Sequence, residues 1–215
     1  MMKKLMKPVA VLAAAVTALS AAAGIPALAS QYGPFYYTKD LQGKIVLEGC
    51  QSANRCVYVP YKIEGKTVSR IKTNTFQNCQ NLRWVILDSV PEAVELDSVP
   101  KTVNYFFNDG QRGDYYVAGT MVHSYNFGDY NDDGTVDLLD AQGILQFYTE
   151  YTLAGKQMKN EQLYVRKLAI ADINRNGVVD LTDAQTVLRY YTEVLAGMPA
   201  FPLREYVYSL NNGPI

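Results

Sequence analysis

A twelve-residue pattern occurs twice in this sequence. Asp129-Tyr-Asn-Asp-Asp-Gly-Thr-Val-Asp-Leu-Leu-Asp140 returns as Asp172-Ile-Asn-Arg-Asn-Gly-Val-Val-Asp-Leu-Thr-Asp183, a shift of 43 residues from Asp129 to Asp172. The likeness runs on beyond each copy. Ala141-Gln142 matches Ala184-Gln185, Leu145 matches Leu188, and Tyr148-Thr149-Glu150 matches Tyr191-Thr192-Glu193. A duplicated unit of this size requires two copies of one local structure, whatever the rest of the chain does.

Each copy carries oxygen-bearing side chains at loop positions 1, 3, 5, 9 and 12 and glycine at position 6. That is the ligand arithmetic of a calcium loop, because calcium takes six to eight oxygens and the chain must wrap round the ion to supply them. The expected ligands of the first loop are Asp129, Asn131, Asp133, Asp137 and Asp140, with the Thr135 carbonyl at position 7. Those of the second are Asp172, Asn174, Asn176, Asp180 and Asp183, with the Val178 carbonyl. Gly134 and Gly177 permit the sharp turn, and Val136 and Val179 are expected to anchor each loop to a core. Two calcium ions are therefore expected, the first loop binding more tightly because Asp133 is replaced by Asn176 in the second. The competing reading, a pair of Asn/Asp/Gly-rich turns capping two helices, does not account for two matched copies.

Apolar residues at three- and four-residue spacing predict helices over Leu138–Thr152 and Leu181–Gly197. No amphipathic helix precedes the first loop, and Asn160 is placed to cap a short helix ending at Ala169. Two Asp-x-Asn-x-(Asp/Asn)-Gly-x-Val-Asp-x-x-Asp loops, each followed by a helix and joined by a third, resemble the dockerin family. The resemblance covers about 126–198. It implies a three-helix module that folds around two calcium ions and binds a cohesin domain of a scaffoldin.

In dockerins, partner choice lies largely at loop positions 10 and 11 and on the helix face after them. The best-known members have Ser-Thr there; this chain has Leu138-Leu139 and Leu181-Thr182. On a helical wheel Leu138, Gln142 and Leu145 share one stripe, and Leu181, Gln185 and Leu188 share its twin. These stripes, flanked by Gln146 and Arg189, are the expected cohesin-binding patch. The alternative is that Leu145 and Leu188 pack between the two helices. Val136, Ala141, Ile144 and Tyr148 are expected in the core.

The region before residue 109 reads as strands. Lys44–Leu47, Cys56–Val59, Lys66–Ile71 and Leu82–Leu87 are β-like runs separated by Gly43, Gly49, Pro60, Gly65 and Asn81. The order Val59-Pro60, Ile63-Glu64-Gly65-Lys66-Thr67-Val68, Ile71, Thr75-Phe76, Asn78-Cys79, Asn81-Leu82, Val85 and Asp88-Ser89-Val90 resembles the bacterial surface-antigen (BspA-like) leucine-rich repeat. Only one good copy is visible, although Leu87-Asp-Ser-Val-Pro91 is echoed by Leu96-Asp-Ser-Val-Pro100. The expected fold class is multi-domain: a small β-rich leucine-rich-repeat-like domain followed by an all-α three-helix dockerin with two calcium loops. The expected boundaries are signal peptide 1–29, β-domain 30–109, linker 110–125, dockerin 126–198 and tail 199–215. The linker either spaces the domains or adds a strand at Tyr115-Tyr116-Val117. The tail either frays or stacks Phe201 or Tyr206 on Tyr125 or Phe127.

Lys3, Lys4 and Lys7, the apolar stretch Val9–Ala23 and the Ala27-Leu28-Ala29 site read as a signal peptide, so a secreted bacterial protein without a membrane span after cleavage is expected. A net charge of −1 without a Lys/Arg block points away from nucleic acid. Cys50, Cys56 and Cys79 are an odd set. Cys50 and Cys56 are close enough to bridge a short loop, or all three are small buried residues. With His123 as the only histidine, an ordinary zinc site is not expected. Glu48, Glu64, Asp88, Glu92, Glu95 and Asp97 offer carboxylates for glycoside hydrolysis, but scattered acids on a small β-domain usually form a solvated surface. The expected function is a non-catalytic component of a cellulosome-like complex for polysaccharide breakdown, its repeat domain presenting a protein- or glycan-binding surface. The alternative is a small carbohydrate-active enzyme or an enzyme inhibitor carried by the same dockerin.

Overall fold

The computed structural model describes residues 29–95, 103–109, 114–117 and 120–212. The predicted signal peptide up to residue 28, Asp97 and the second Leu-Asp-Ser-Val-Pro copy lie outside the described residues. Strands fill the N-terminal part: β1 Ser30–Tyr32, β2 Phe35–Lys39, β3 Ile45–Cys50, β4 Cys56–Val59, β5 Lys62–Ile63, β6 Lys66–Ile71, β7 Trp84–Leu87, β8 Ala93–Val94, β9 Asn104–Asn108, β10 Asp114–Val117 and β11 Thr120–Tyr125. Helices follow: α1 Leu138–Phe147, which runs into a π-helical turn Tyr148–Leu153, then α2 Glu161–Ala171, α3 Leu181–Leu195 and α4 Leu203–Asn212.

From β3 onwards the chain coils between two sheets. One has the order β1-β2-β3-β6-β5 with β8 added to β6, and the other β10-β11-β9-β7-β4. Successive turns stack in parallel, so Leu47 pairs with Ile71 and Ile71 with Val94 in the first sheet. In the second, Val57, Val85, Tyr105 and Val122 form one row, and Tyr58, Ile86, Phe106 and His123 the next.

These two rows face opposite ways. Val57, Val85, Tyr105 and Val122 join Leu47, Ile71 and Phe76 in the core between the sheets. Trp84, Ile86, Phe106 and Tyr125 join Ile144, Phe147, Ala169, Ile170 and Val187 of the helices in a second core. A sheet covered on both faces needs continuous apolar runs rather than alternation. Trp84-Val-Ile-Leu87 and Tyr105-Phe-Phe107 are such runs.

The expected fold class is corrected on two counts. The strand-rich region forms a curled two-sheet coil closed by hairpins, not a clear leucine-rich-repeat domain. A single copy of a repeat register leaves the period undefined, and each turn here carries strands in two sheets. The helical part has four α-helices rather than three. The fourth forms because Leu203 and Tyr206 have an apolar surface to cover beside Phe127 and Tyr190. Tyr206 meets the Tyr190 ring at 5.4 Å and Phe201 at 6.3 Å. Residues 114–117 and 120–125, read in the sequence as linker, form β10 and β11, and β11 pairs in parallel with β9.

The cysteines divide between the cores. Cys79 Sγ lies 3.3 Å from the Cys50 carbonyl oxygen at the bend between the sheets. Cys56 packs against the helical side instead. All three are free thiols. Burial raises the Cys56 thiol to about 12.

Candidate functional site

The two repeated loops fold alike and share a common set of hydrogen bonds from side chain to backbone amide. In the first, Asp129 Oδ1 accepts from the Asp133 amide at 3.0 Å and Oδ2 from the Gly134 amide at 2.9 Å. In the second, Asp172 accepts from the Asn176 and Gly177 amides at 3.1 and 2.9 Å. Asp140 accepts from the Asn131 and Asp137 amides at 3.1 and 2.8 Å, and Asp183 from the Asn174 and Asp180 amides at the same distances. Position 5 closes the turn: Asp133 Oδ1 accepts from the Thr135 amide and Asn176 Oδ1 from the Val178 amide, both at 2.8 Å. Asn131 and Asn174 bond the amide two residues on, at 2.9 and 3.0 Å.

The ninth residue of each loop starts a helix. Asp137 and Asp180 accept from the Leu139 and Thr182 amides at 2.7 Å, and position 12 answers back to complete a capping box. Gly134 and Gly177 take φ of +96° and +88°, conformations closed to most side chains.

Asp129, Asp140, Asp172 and Asp183 are at most 2 % exposed, and none forms an ion pair among the described residues. Burial pushes the Asp183 carboxyl up to about 6 and raises those of Asp140 and Asp172. Buried carboxylates that form no ion pair are costly, so each loop holds two acids whose ionised forms a bound cation would stabilise. The chemistry of the set, oxygen only, suits a hard divalent ion. Among the described residues no three His, Cys, Asp or Glu side chains converge on a common point, and positions 3 and 5 of each loop bond the loop backbone.

The helix faces after the loops divide cleanly. Ala141 and Ile144 are buried, and Val136 and Tyr148 pack against the same core. Leu138, Leu145, Leu181 and Leu188 are each 40–47 % exposed, and Leu139, Gln142, Thr182 and Gln185 are exposed beside them. At the flanks Gln146 bonds Glu150 at 2.8 Å and Arg189 pairs with Glu193 at 2.7 Å.

Two residues escaped the sequence reading. Position 4 of each loop, Asp132 and Arg175, is left-handed, with φ of +62° and +59°. Asp132 takes a two-pronged contact from Arg166 at 2.7 and 2.8 Å, and Arg175 reaches into the β-region. The side chain at position 4 is not a ligand in the loop pattern, so ligand spacing alone does not single it out.

The other candidate groups are structurally engaged. His123, in the segment read as linker, is buried in β11, with Nδ1 2.8 Å from Asp114. Glu48 pairs with Lys72, Glu64 with Lys39, Glu92 with Lys44 and Asp88 with Arg175, while Glu95 accepts from Thr73. No helix among the described residues is long and apolar enough to cross a membrane.

Comparison with curated proteins and with solved structures gives no match to the chain. A family model described as "Dockerin type I domain" matches residues 127–192. Dockerins are non-catalytic modules that bind cohesin domains and occur in secreted components of cellulosome-like complexes, and type I members typically bind calcium. With its two loops, its capped helices and this match, the segment 127–192 is a type I dockerin domain.

Proposed function

We propose that this protein is a secreted, non-catalytic component of a cellulosome-like complex, held on a scaffoldin by calcium-dependent binding of its dockerin to a cohesin domain. The reading is carried by two matching loops that each bury two carboxylates without an ion pair. Asp129, Asn131, Asp133, Asp137 and Asp140 with the Thr135 carbonyl would hold one calcium ion. Asp172, Asn174, Asn176, Asp180 and Asp183 with the Val178 carbonyl would hold the other. Calcium, when bound, would supply a directly coordinated positive charge to these acids.

The cohesin contact is assigned to the paired leucine stripes, Leu138 and Leu145 on α1 and Leu181 and Leu188 on α3, with Leu139, Gln142, Gln146, Thr182, Gln185 and Arg189 around them. Exposed leucines rimmed by polar side chains suit a protein interface with an apolar centre. The curled-sheet domain would present a surface to a protein or glycan ligand.

Titration calorimetry of the full chain against a panel of cohesin domains, with calcium and with excess EDTA, tests this reading. Tight binding to one cohesin, abolished by EDTA, is expected. Calcium binding without any cohesin partner would overturn the docking role and leave a calcium-binding module.

A further inference from the structure

The two loops share a backbone and differ at position 4, where the first has Asp132 and the second Arg175. The Arg175 side chain is largely buried, and every face of its guanidinium is occupied. Nε donates to Asp88 Oδ1 at 2.8 Å, and Nη2 donates to the Tyr125 hydroxyl at 3.0 Å. Nη1 donates back to its own segment, to the carbonyls of Ala169 at 2.7 Å and Asp172 at 3.0 Å. The group also lies 4.5 Å from the Phe127 ring centre and 5.2 Å from that of Tyr58. One planar cation therefore joins the start of the second loop to β4, β11 and the residue after β7.

Asp88 supplies the opposite charge for the Arg175 guanidinium. The first loop holds no arginine of its own, and α2 reaches it instead: Lys167 Nζ donates to the Tyr130 carbonyl. Asp132 takes its two-pronged contact from Arg166 of α2, whose Nε also donates to the Ser124 carbonyl at 3.4 Å. A fork of rigid donors held by several acceptors loses little freedom per bond, which makes arginine a good clamp.

We infer that Arg175 is a positioning residue that holds the second loop folded against the curled sheet without calcium, so that calcium-dependent ordering falls mainly on the first loop. The inference rests on the calcium reading for the first loop only. It makes the β-region a working part of the second loop rather than a separate passenger domain.

Hydrogen exchange of the full-length protein, read by mass spectrometry in excess EDTA and in calcium, tests the assignment. In EDTA the wild type is expected to lose protection at residues 129–140 and keep it at 172–183. R175Q is expected to exchange at least tenfold faster at 172–183 in EDTA and to recover in calcium. D88N, a milder change that leaves the arginine in place, is expected to do the same to a smaller extent, so the test survives if R175Q folds poorly. Equal loss at both loops in the wild type, or unchanged protection of 172–183 in both variants, would overturn the inference. If calcium changes the exchange of neither loop, the calcium reading falls, while the comparison of wild type with D88N in EDTA still decides the role of Arg175.

Discussion

Leu203 of α4 occupies the place where a side chain on Gly128 would begin: a Cβ built there stands 2.3 Å from Leu203 Cδ2. Gly128 also has φ of +85° and immediately precedes the first loop. The last helix is thus seated on the backbone that enters the candidate metal site. Gly128→Ala meets both a steric and a conformational penalty, and a loss of about 1–3 kcal/mol is expected. Urea denaturation of the full chain measures it, and an unchanged midpoint would show that α4 is not seated there.

The ligand sets predict unequal calcium sites. The ligand set of the first loop has four carboxylates and that of the second three, because Asn176 stands where the first has Asp133. Two binding events are expected in calorimetry, and Asp133→Asn should weaken the tighter one by roughly tenfold, since ligand charge sets affinity in such loops. Asp140→Ala and Asp183→Ala, each removing a buried position-12 acid, should each reduce the stoichiometry from two ions to one.

Exposure predicts how the leucine stripes respond to polarity. Leu138 and Leu145 are 41 % and 40 % exposed, so converting them to Ser and Gln leaves no cavity in the core. The double variant is expected to keep its melting temperature within about 2 °C while losing roughly 2 kcal/mol or more of cohesin affinity, as central contacts in interfaces do. A drop in melting temperature with cohesin binding intact would place the two leucines in the fold and not in the contact.

The cysteines give a prediction about pairing. Cys50 and Cys79 interact across the bend, whereas Cys56 faces the helices beside Arg175 and Asp172. Treatment with oxidised glutathione, which takes up the two electrons and two protons released, should join Cys50 to Cys79. Peptide mapping without reductant should find no Cys50–Cys56 link, although those two are nearer in sequence.

Much of the candidate site was legible in the sequence because its determinants are local. Asp129 and Asp140, or Asp172 and Asp183, meet through hydrogen bonds to amides a few residues away. The glycines, the Asp caps and the starts of α1 and α3 belong to the same short segments. The strands Cys56–Val59 and Lys66–Ile71 were equally readable from their β-branched, punctuated runs. The path of the coil was not. Whether Trp84-Val-Ile-Leu87 had one buried face or two depended on helices that begin beyond residue 137. The strands at 104–108 and 120–125 depend on parallel partners 20 and 17 residues away in the chain. Such pairing is specified by long-range contacts rather than by local pattern. The same holds for Arg175. The sequence by itself determined the two loops and the helices that leave them. Only the tertiary structure decided that the second loop is bound to the sheet, because the groups that receive its arginine lie 50 and 87 residues away, at Tyr125 and Asp88.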